Sequence, residues 1–83
     1  MSLGELTKFI INGIVNDKDS VNVVEIEQDE KTILINVHVN EDDLGRVIGK
    51  DGKMINAIRT LIQEASSLRE GKFVKVEVNR EEN

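Results

Sequence analysis

The chain predicts an α+β fold, a two-layer sandwich with three helices on one face of a three-stranded mixed sheet, in the order α-β-β-α-α-β. Three observations predict it. Residues 32–39 alternate apolar and polar side chains with a period of two, and stretches on either side of them carry apolar residues at helical spacing. Two helices separate the last two strands. A strand-helix-helix-strand run implies a right-handed crossover, so the last strand lies parallel to one strand of a preceding hairpin.

Ser2 and Glu5 have the spacing of a capping box. After them Leu3, Leu6, Phe9, Ile10 and Ile14 share one face of a first helix over residues 3–15. The polar run Asn16-Asp17-Lys18-Asp19-Ser20 ends it. Residues 21–27 are rich in β-branched side chains, with Val24 and Ile26 on one face and Val21 and Val23 on the other. In the next strand Ile33, Ile35, Val37 and Val39 alternate with Thr32, Leu34, Asn36 and His38. The link Gln28-Asp29-Glu30-Lys31 is short and polar, which makes the pair an antiparallel hairpin.

Asn40 is placed to cap a short helix. Its acidic first turn, Glu41-Asp42-Asp43, complements the positive end of the helix dipole. Leu44, Val47 and Ile48 form its apolar face, and Gly49 stops it. A long helix covers residues 53–68, with Ile55, Ile58, Leu61, Ile62, Ala65 and Leu68 as its core stripe. Gly71 breaks the chain before a last strand whose Val74, Val76 and Val78 face inward. Arg80 to Asn83 reads as a frayed polar tail.

Eighty-three residues suit one domain, with a core over about residues 3–79. Met1-Ser2-Leu3 reads either as native chain or in part as an expression scar. Cysteine is absent and histidine occurs once, which leaves no disulfide and too few ligands for a metal site; no cofactor is implied. No apolar run approaches the roughly 20 residues that span a bilayer, and no basic-then-apolar leader opens the chain. The expected location is the cytoplasm, without a membrane partner. The net charge is −5, but its distribution is uneven: residues 44–62 hold Arg46, Lys50, Lys53 and Arg59 against Asp51 alone, +3 in all, so the remainder carries −8.

The informative stretch is Val47-Ile48-Gly49-Lys50-Asp51-Gly52-Lys53. Two glycines join a short helix to a long one with almost no slack, and glycine admits positive φ and close backbone approach. The long helix begins at Lys53, so its first N–H groups and its dipole favour an anion here. Lys50 and Lys53 add charge, and Arg46 extends the basic track. Elsewhere the chemistry is poor. His38 lies away from the Ile33 stripe and reads as a satisfied or solvated side chain. Asp17 and Asp19 lack the glycine and distal glutamate of a calcium loop. No Walker-type run is present, and Asp42-Asp43 is explained by its helix terminus. Neither an enzyme nor a small-molecule substrate is expected.

On these residues the chain resembles the KH domain family. Val47 to Ile55 (VIGKDGKMI) resembles its I-G-x-x-G-x-x-I signature at Ile48, Gly49, Gly52 and Ile55. The element order resembles the type II arrangement, and the whole of residues 3–79 is similar to the small bacterial single-KH proteins of the KhpA (YlqC-like) family. The resemblance implies a non-catalytic binder of single-stranded RNA, acting as a post-transcriptional regulator or RNA chaperone. Its G-x-x-G loop would hold the backbone of about four nucleotides. It places Gly49, Lys50, Asp51 and Gly52 against phosphates, and makes Leu44, Gly45, Val47, Ile48 and Ile55 candidates for the edge and floor of a groove with Ile35 and Val37 on the opposing sheet. Several of these must also be core, and for Leu44 and Val47 core packing is the better reading. It also implies self-pairing, or pairing with a larger KH-containing protein.

Asp51 opposes Lys50 inside this loop. With about two or three phosphate contacts, binding should be weak, roughly micromolar or worse, with little sequence discrimination. Two rivals stand beside RNA binding. A KH fold kept as a protein-interaction module fits the acidic body and Asp51. A helix-turn-helix DNA binder fits the two helices less well, because the second is mostly an apolar stripe. An RRM stacks bases on exposed aromatics; here only Phe9 and Phe73 are available, and Phe9 is expected in the core.

Overall fold

The computed structural model describes residues 1–80. Its main elements are α1 (Leu3–Asn12), β1 (Asn22–Glu27), β2 (Thr32–Val39), α2 (Glu41–Ile48), α3 (Lys53–Arg69) and β3 (Phe73–Arg80), in the α-β-β-α-α-β order that the sequence predicts. Short 3₁₀ turns lie at Lys18–Ser20 and Lys50–Gly52. β2 is the central strand, antiparallel to β1 and parallel to β3, so that Ile35 sits opposite Glu25 on one side and Val76 on the other. The three helices cover one face of this mixed sheet, a type II KH-like arrangement.

The period-two pattern of β2 explains where the core lies. Ile33, Ile35, Val37 and Val39 are at most 1% exposed and meet Ile11, Val47, Ile55, Ile58 and Ile62 from the helices. Each such side chain contributes about 1.5–3 kcal/mol by leaving water. The opposite sheet face is open, and Val24 and Ile26 are exposed on it.

α1 starts where the capping box places it. The Ser2 hydroxyl accepts the Glu5 N–H at 3.0 Å, and the Glu5 carboxylate accepts the Ser2 N–H at 2.9 Å. The Gly4 N–H donates to Glu25 Oε1 at 2.7 Å, which ties the helix start to β1. The helix ends at Asn12 rather than Val15. Gly13 and Ile14 donate to the carbonyls of Ile10 and Ile11, a tightening typical of a last turn.

Its buried face also differs from the expected one. Leu3, Thr7 and Ile11 are buried with Leu6, Ile10 and Ile14 beside them, while Phe9 is 70% exposed. Thr7 can take a core position because its hydroxyl donates to the Leu3 carbonyl at 2.8 Å. In α3 the buried face is Ile55, Ile58, Ile62 and Ser66, with Ala65 alongside; Leu61 and Leu68 are exposed. Ser66 replaces Leu68 because its hydroxyl donates to the Lys72 carbonyl at 2.8 Å across the turn into β3.

Two further expectations change. Arg80 belongs to β3, pairing with Val39, and its guanidinium meets Glu41 at 3.2 Å; the rest of the expected tail, Glu81 to Asn83, lies outside the described residues. His38 is half-buried on the open sheet face, and its Nδ1 is shielded without a hydrogen-bond partner among the described residues.

Candidate functional site

The connection between α2 and α3 is set by glycine geometry. Gly49 has φ 77° and Gly52 φ 76°, and between them Asp51 takes the left-handed conformation at φ 56°, ψ 25°. Aspartate is among the few non-glycine residues that tolerate this region. A Cβ on Gly49 would stand 2.7 Å from Met54 Cβ and 2.8 Å from Met54 N, so conformation and close approach both demand glycine there. A Cβ on Gly52 would meet nothing nearer than 3.7 Å, so its backbone angle alone is the constraint.

The sequence suggests that unpaired N–H groups at the start of α3 point into this loop. Three amides of the segment from Gly49 to Lys53 are used internally. Gly49 donates to the Gly45 carbonyl at 2.8 Å, Gly52 to that of Gly49 at 3.1 Å, and Lys53 to that of Lys50. These bonds close α2 and form the 3₁₀ turn. The amides of Lys50 and Asp51 donate to no group among the described residues, and the side chains of Lys50, Asp51 and Lys53 are exposed. The loop thus offers two adjacent backbone donors with two lysines, opposed by one carboxylate.

The helix that leads into the loop is held from below by groups the sequence does not reveal. Asn40 caps α2, its side-chain oxygen accepting the Asp42 N–H at 2.9 Å. Asp43 is 2% exposed, and its two carboxylate oxygens accept the N–H groups of Asn16 and Asp17 at 3.1 and 3.0 Å. Asp17 in turn accepts from the Ser20 hydroxyl at 2.6 Å and from the Asn40 amide at 3.0 Å. These bonds hold its carboxyl below the usual aspartate value, the Ser20 hydroxyl contributing most. Arg46 is exposed and turns toward this network, 3.5 Å from Asn16 Oδ1.

Around the loop, Gly45 is exposed, Leu44 is half-buried and Ile48 is 38% exposed, whereas Val47 and Ile55 are buried at 0% and 6%. Ile35 and Val37 are wholly enclosed beneath the helices and wall no groove. One groove lies against β3 instead. β3 is an edge strand, and α3 runs back along its outer side. Arg59 Nε donates to the Val76 carbonyl at 3.1 Å; the Gln63 amide donates to the Lys72 carbonyl at 3.1 Å and accepts the Val74 N–H at 2.9 Å. Two outward groups of β3, the Val74 N–H and the Val76 carbonyl, are thereby satisfied, which partly blunts an open edge. A groove of about 530 Å³ remains between the two elements, lined by Arg59, Thr60, Gln63, Phe73, Lys75 and Val76 among others. Of the charged residues that the sequence marks out in its basic stretch, Arg59 alone lines this groove, where Lys75 adds a second cation and Glu64 and Glu77 add two carboxylates. The groove itself has no sequence signal, because the pairing of α3 with the β3 edge depends on the folded chain.

Among the described residues no group of His, Asp and Glu side chains is arranged to hold a metal ion, and no helix is long and apolar enough to cross a membrane.

The family model described as KhpA/KhpB, KH domain, matches residues 5–78. The chain is similar to the RNA-binding protein KhpA of Caldanaerobacter subterraneus subsp. tengcongensis, 43% identical over 76 residues that cover 92% of this chain and 99% of that one. It is similar also to the RNA-binding protein KhpA of Aquifex aeolicus, 38% identical over 77 residues, covering 93% and 95%. Among solved structures it resembles Era, in a complex with MgGDPNP and nucleotides 1506–1542 of 16S ribosomal RNA, with a TM-score of 0.64 at 17% identity; the match covers 94% of this chain and 29% of that longer one. At that identity the likeness speaks to the fold.

Proposed function

The chain belongs to the KhpA/KhpB KH-domain family, and from that premise we propose that it binds single-stranded RNA by its backbone at Gly49-Lys50-Asp51-Gly52. The observation that carries this reading is the pair of amides at Lys50 and Asp51, without partners among the described residues and flanked by two positive-φ glycines at the head of α3. Amides in such a turn, at the positive end of a helix, suit a phosphate. Lys50 and Lys53 add attraction, and the glycines let a sugar-phosphate chain approach. Two relatives of nearly the same length carry the name RNA-binding protein. The role is non-catalytic, in RNA chaperoning or post-transcriptional regulation in the cytoplasm.

Titrating labelled single-stranded RNA into the wild type and Lys50→Asp tests the loop, with circular dichroism to show that both are folded. Lys50 is exposed, so the fold should survive, while two adjacent carboxylates would then face the phosphates. Salt-sensitive binding by the wild type, lost in the variant, is the expected result. Equal binding by both removes the loop from the mechanism.

A second reading is favoured by the exposed Leu61 and Leu68 on α3 and by Val24 and Ile26 on the open sheet face. Such apolar side chains suit a KH fold that pairs with a second copy or with a larger KH-containing protein. Pairing would also join two weak RNA grooves and raise avidity. Light scattering of the purified chain distinguishes monomer from dimer, and RNA binding by neither wild type nor variant leaves the interaction module as the function.

A further inference from the structure

The sheet has two edges, and the chain leaves them in different states. The Gln28 N–H donates to the Thr32 carbonyl at 3.0 Å, and the β1–β2 register sets Ile26 opposite Leu34 and Val24 opposite Asn36. In an antiparallel ladder every second pair exchanges hydrogen bonds. The bonded residues of β1 are therefore Asn22, Val24 and Ile26, and the N–H and C=O groups of Val23, Glu25 and Glu27 point away from β2. None of these outward groups has a hydrogen-bond partner among the described residues. On the other edge Gln63 accepts the Val74 N–H and Arg59 donates to the Val76 carbonyl. β1 is the edge left open.

A strand added to β1 would meet two kinds of side chain. On the open sheet face Val24 and Ile26 are 40% and 42% exposed. On the helix side Glu25 and Glu27 are exposed; one Glu25 oxygen accepts the Gly4 N–H, and Glu27 meets Lys72 at 3.4 Å. Residues 22–30 hold Glu25, Glu27, Asp29 and Glu30 and no cation. Such an edge suits a second copy poorly. A two-fold pairing centred on Glu25 sets that carboxylate opposite its own copy, and like charges directly opposite destabilise a sheet. The same charge attracts a cationic strand.

We propose that β1 accepts an added strand from a partner protein, an extended segment in which cationic and apolar side chains alternate. Backbone bonds to Val23, Glu25 and Glu27 supply the affinity, and the alternating side chains select the partner. Lysine or arginine faces Glu25 and Glu27, and aliphatic side chains extend the apolar strip of Val24 and Ile26. The edge shares no residue with the Gly49–Gly52 loop, so the inference does not rest on RNA binding.

The probe is a blocked hexapeptide of three Lys-Val repeats, with three Glu-Val repeats as its control. In the chain alone the amides of Val24 and Ile26 should exchange slowly with solvent, and those of Val23, Glu25 and Glu27 quickly. The Lys-Val peptide should slow the latter three about tenfold or more, and the Glu-Val peptide should not. Glu27→Gln keeps the outward amide and should weaken binding of the labelled Lys-Val peptide about threefold. Glu27→Pro removes the amide as well and should abolish it. The Glu27 N–H carries no ladder bond, so proline is compatible with this edge position, and circular dichroism checks the fold. Should the proline variant not fold, the exchange pattern and Glu27→Gln decide. Binding that leaves the three amides exchanging quickly, or equal binding of the two peptides, overturns the proposal. So does the absence of binding at millimolar peptide. Slow exchange of the three amides without peptide, increasing with protein concentration, overturns it in favour of a second copy on the edge.

Discussion

Gly45 and Gly49 lie one turn apart at the end of α2, and the folded chain needs only one of them. Gly49 combines positive φ with contact on Met54. Gly45 has an ordinary helical backbone, and a Cβ built on it would meet nothing within 4 Å. Glycine inside a helix costs about 0.5–1 kcal/mol relative to alanine. Nothing in the chain offsets that cost at Gly45, and its carbonyl, which accepts the Gly49 N–H, borders the proposed phosphate loop. Gly45→Ala is therefore expected to raise unfolding stability by about that amount in urea titrations while weakening RNA binding, because its methyl group projects where the strand must pass. Higher stability with unchanged affinity would assign Gly45 no part in binding.

At the level of whole segments, the link between α1 and β1 is fastened to α2 through carboxylates. Asp43 accepts two backbone amides from Asn16 and Asp17, and Asp17 accepts from Ser20 and Asn40. Asp17 ionises below its ordinary value of 3.8 in the folded chain, chiefly through the Ser20 hydroxyl and then the Asn40 amide. A lowered folded value means that the contribution is complete above pH 3.8 and is lost as pH falls through the folded value. Glu5 follows the same sign from 4.5, through the Ser2 N–H and then its hydroxyl, and serves as a common background. The stability advantage of wild type over Asp17→Asn, read as the difference in urea midpoint, should be constant at neutral pH and shrink below pH 3.8. A difference that does not vary with pH would mean that Asp17 contributes nothing through its charge.

These segments also show what a sequence can and cannot carry. β2 is readable to the residue because alternation leaves one choice of face. The caps at Ser2 and Asn40 are readable because they are local. α1 is not, since its apolar residues admit two overlapping stripes, and the fold adopts the one in which Thr7 satisfies its hydroxyl on Leu3. Ser66 displaces Leu68 for a similar reason, its partner being Lys72 beyond the helix end. Asp43, Arg59 and Gln63 owe their positions to backbone groups far away in the chain, which no local pattern records. The glycine loop is visible as a motif, but the division of its amides between internal bonds and open donors requires the folded geometry.

Across the molecule as a whole, a net charge of −5 argues against RNA as a partner. The excess negative charge falls outside residues 44–62, which carry +3, and at physiological ionic strength exposed charges are largely screened beyond about 8 Å. The carboxylate that matters is Asp51, inside the loop and exposed. Asn at this position keeps the tolerance for left-handed φ, so Asp51→Asn should leave the unfolding midpoint unchanged. One charge removed about 7 Å from a phosphate is worth on the order of 0.6 kcal/mol in water, about threefold in affinity. The number of phosphates contacted does not change, and the dependence on salt counts those contacts, at about −0.7 in log K per contact for a single strand. Plots of log K against log salt concentration for wild type and Asp51→Asn should then run nearly parallel, with the variant higher. A flat plot for both would mean that the bound strand is not held by its phosphates. A steeper line for the variant would mean that Asp51 had been holding a phosphate away from the loop.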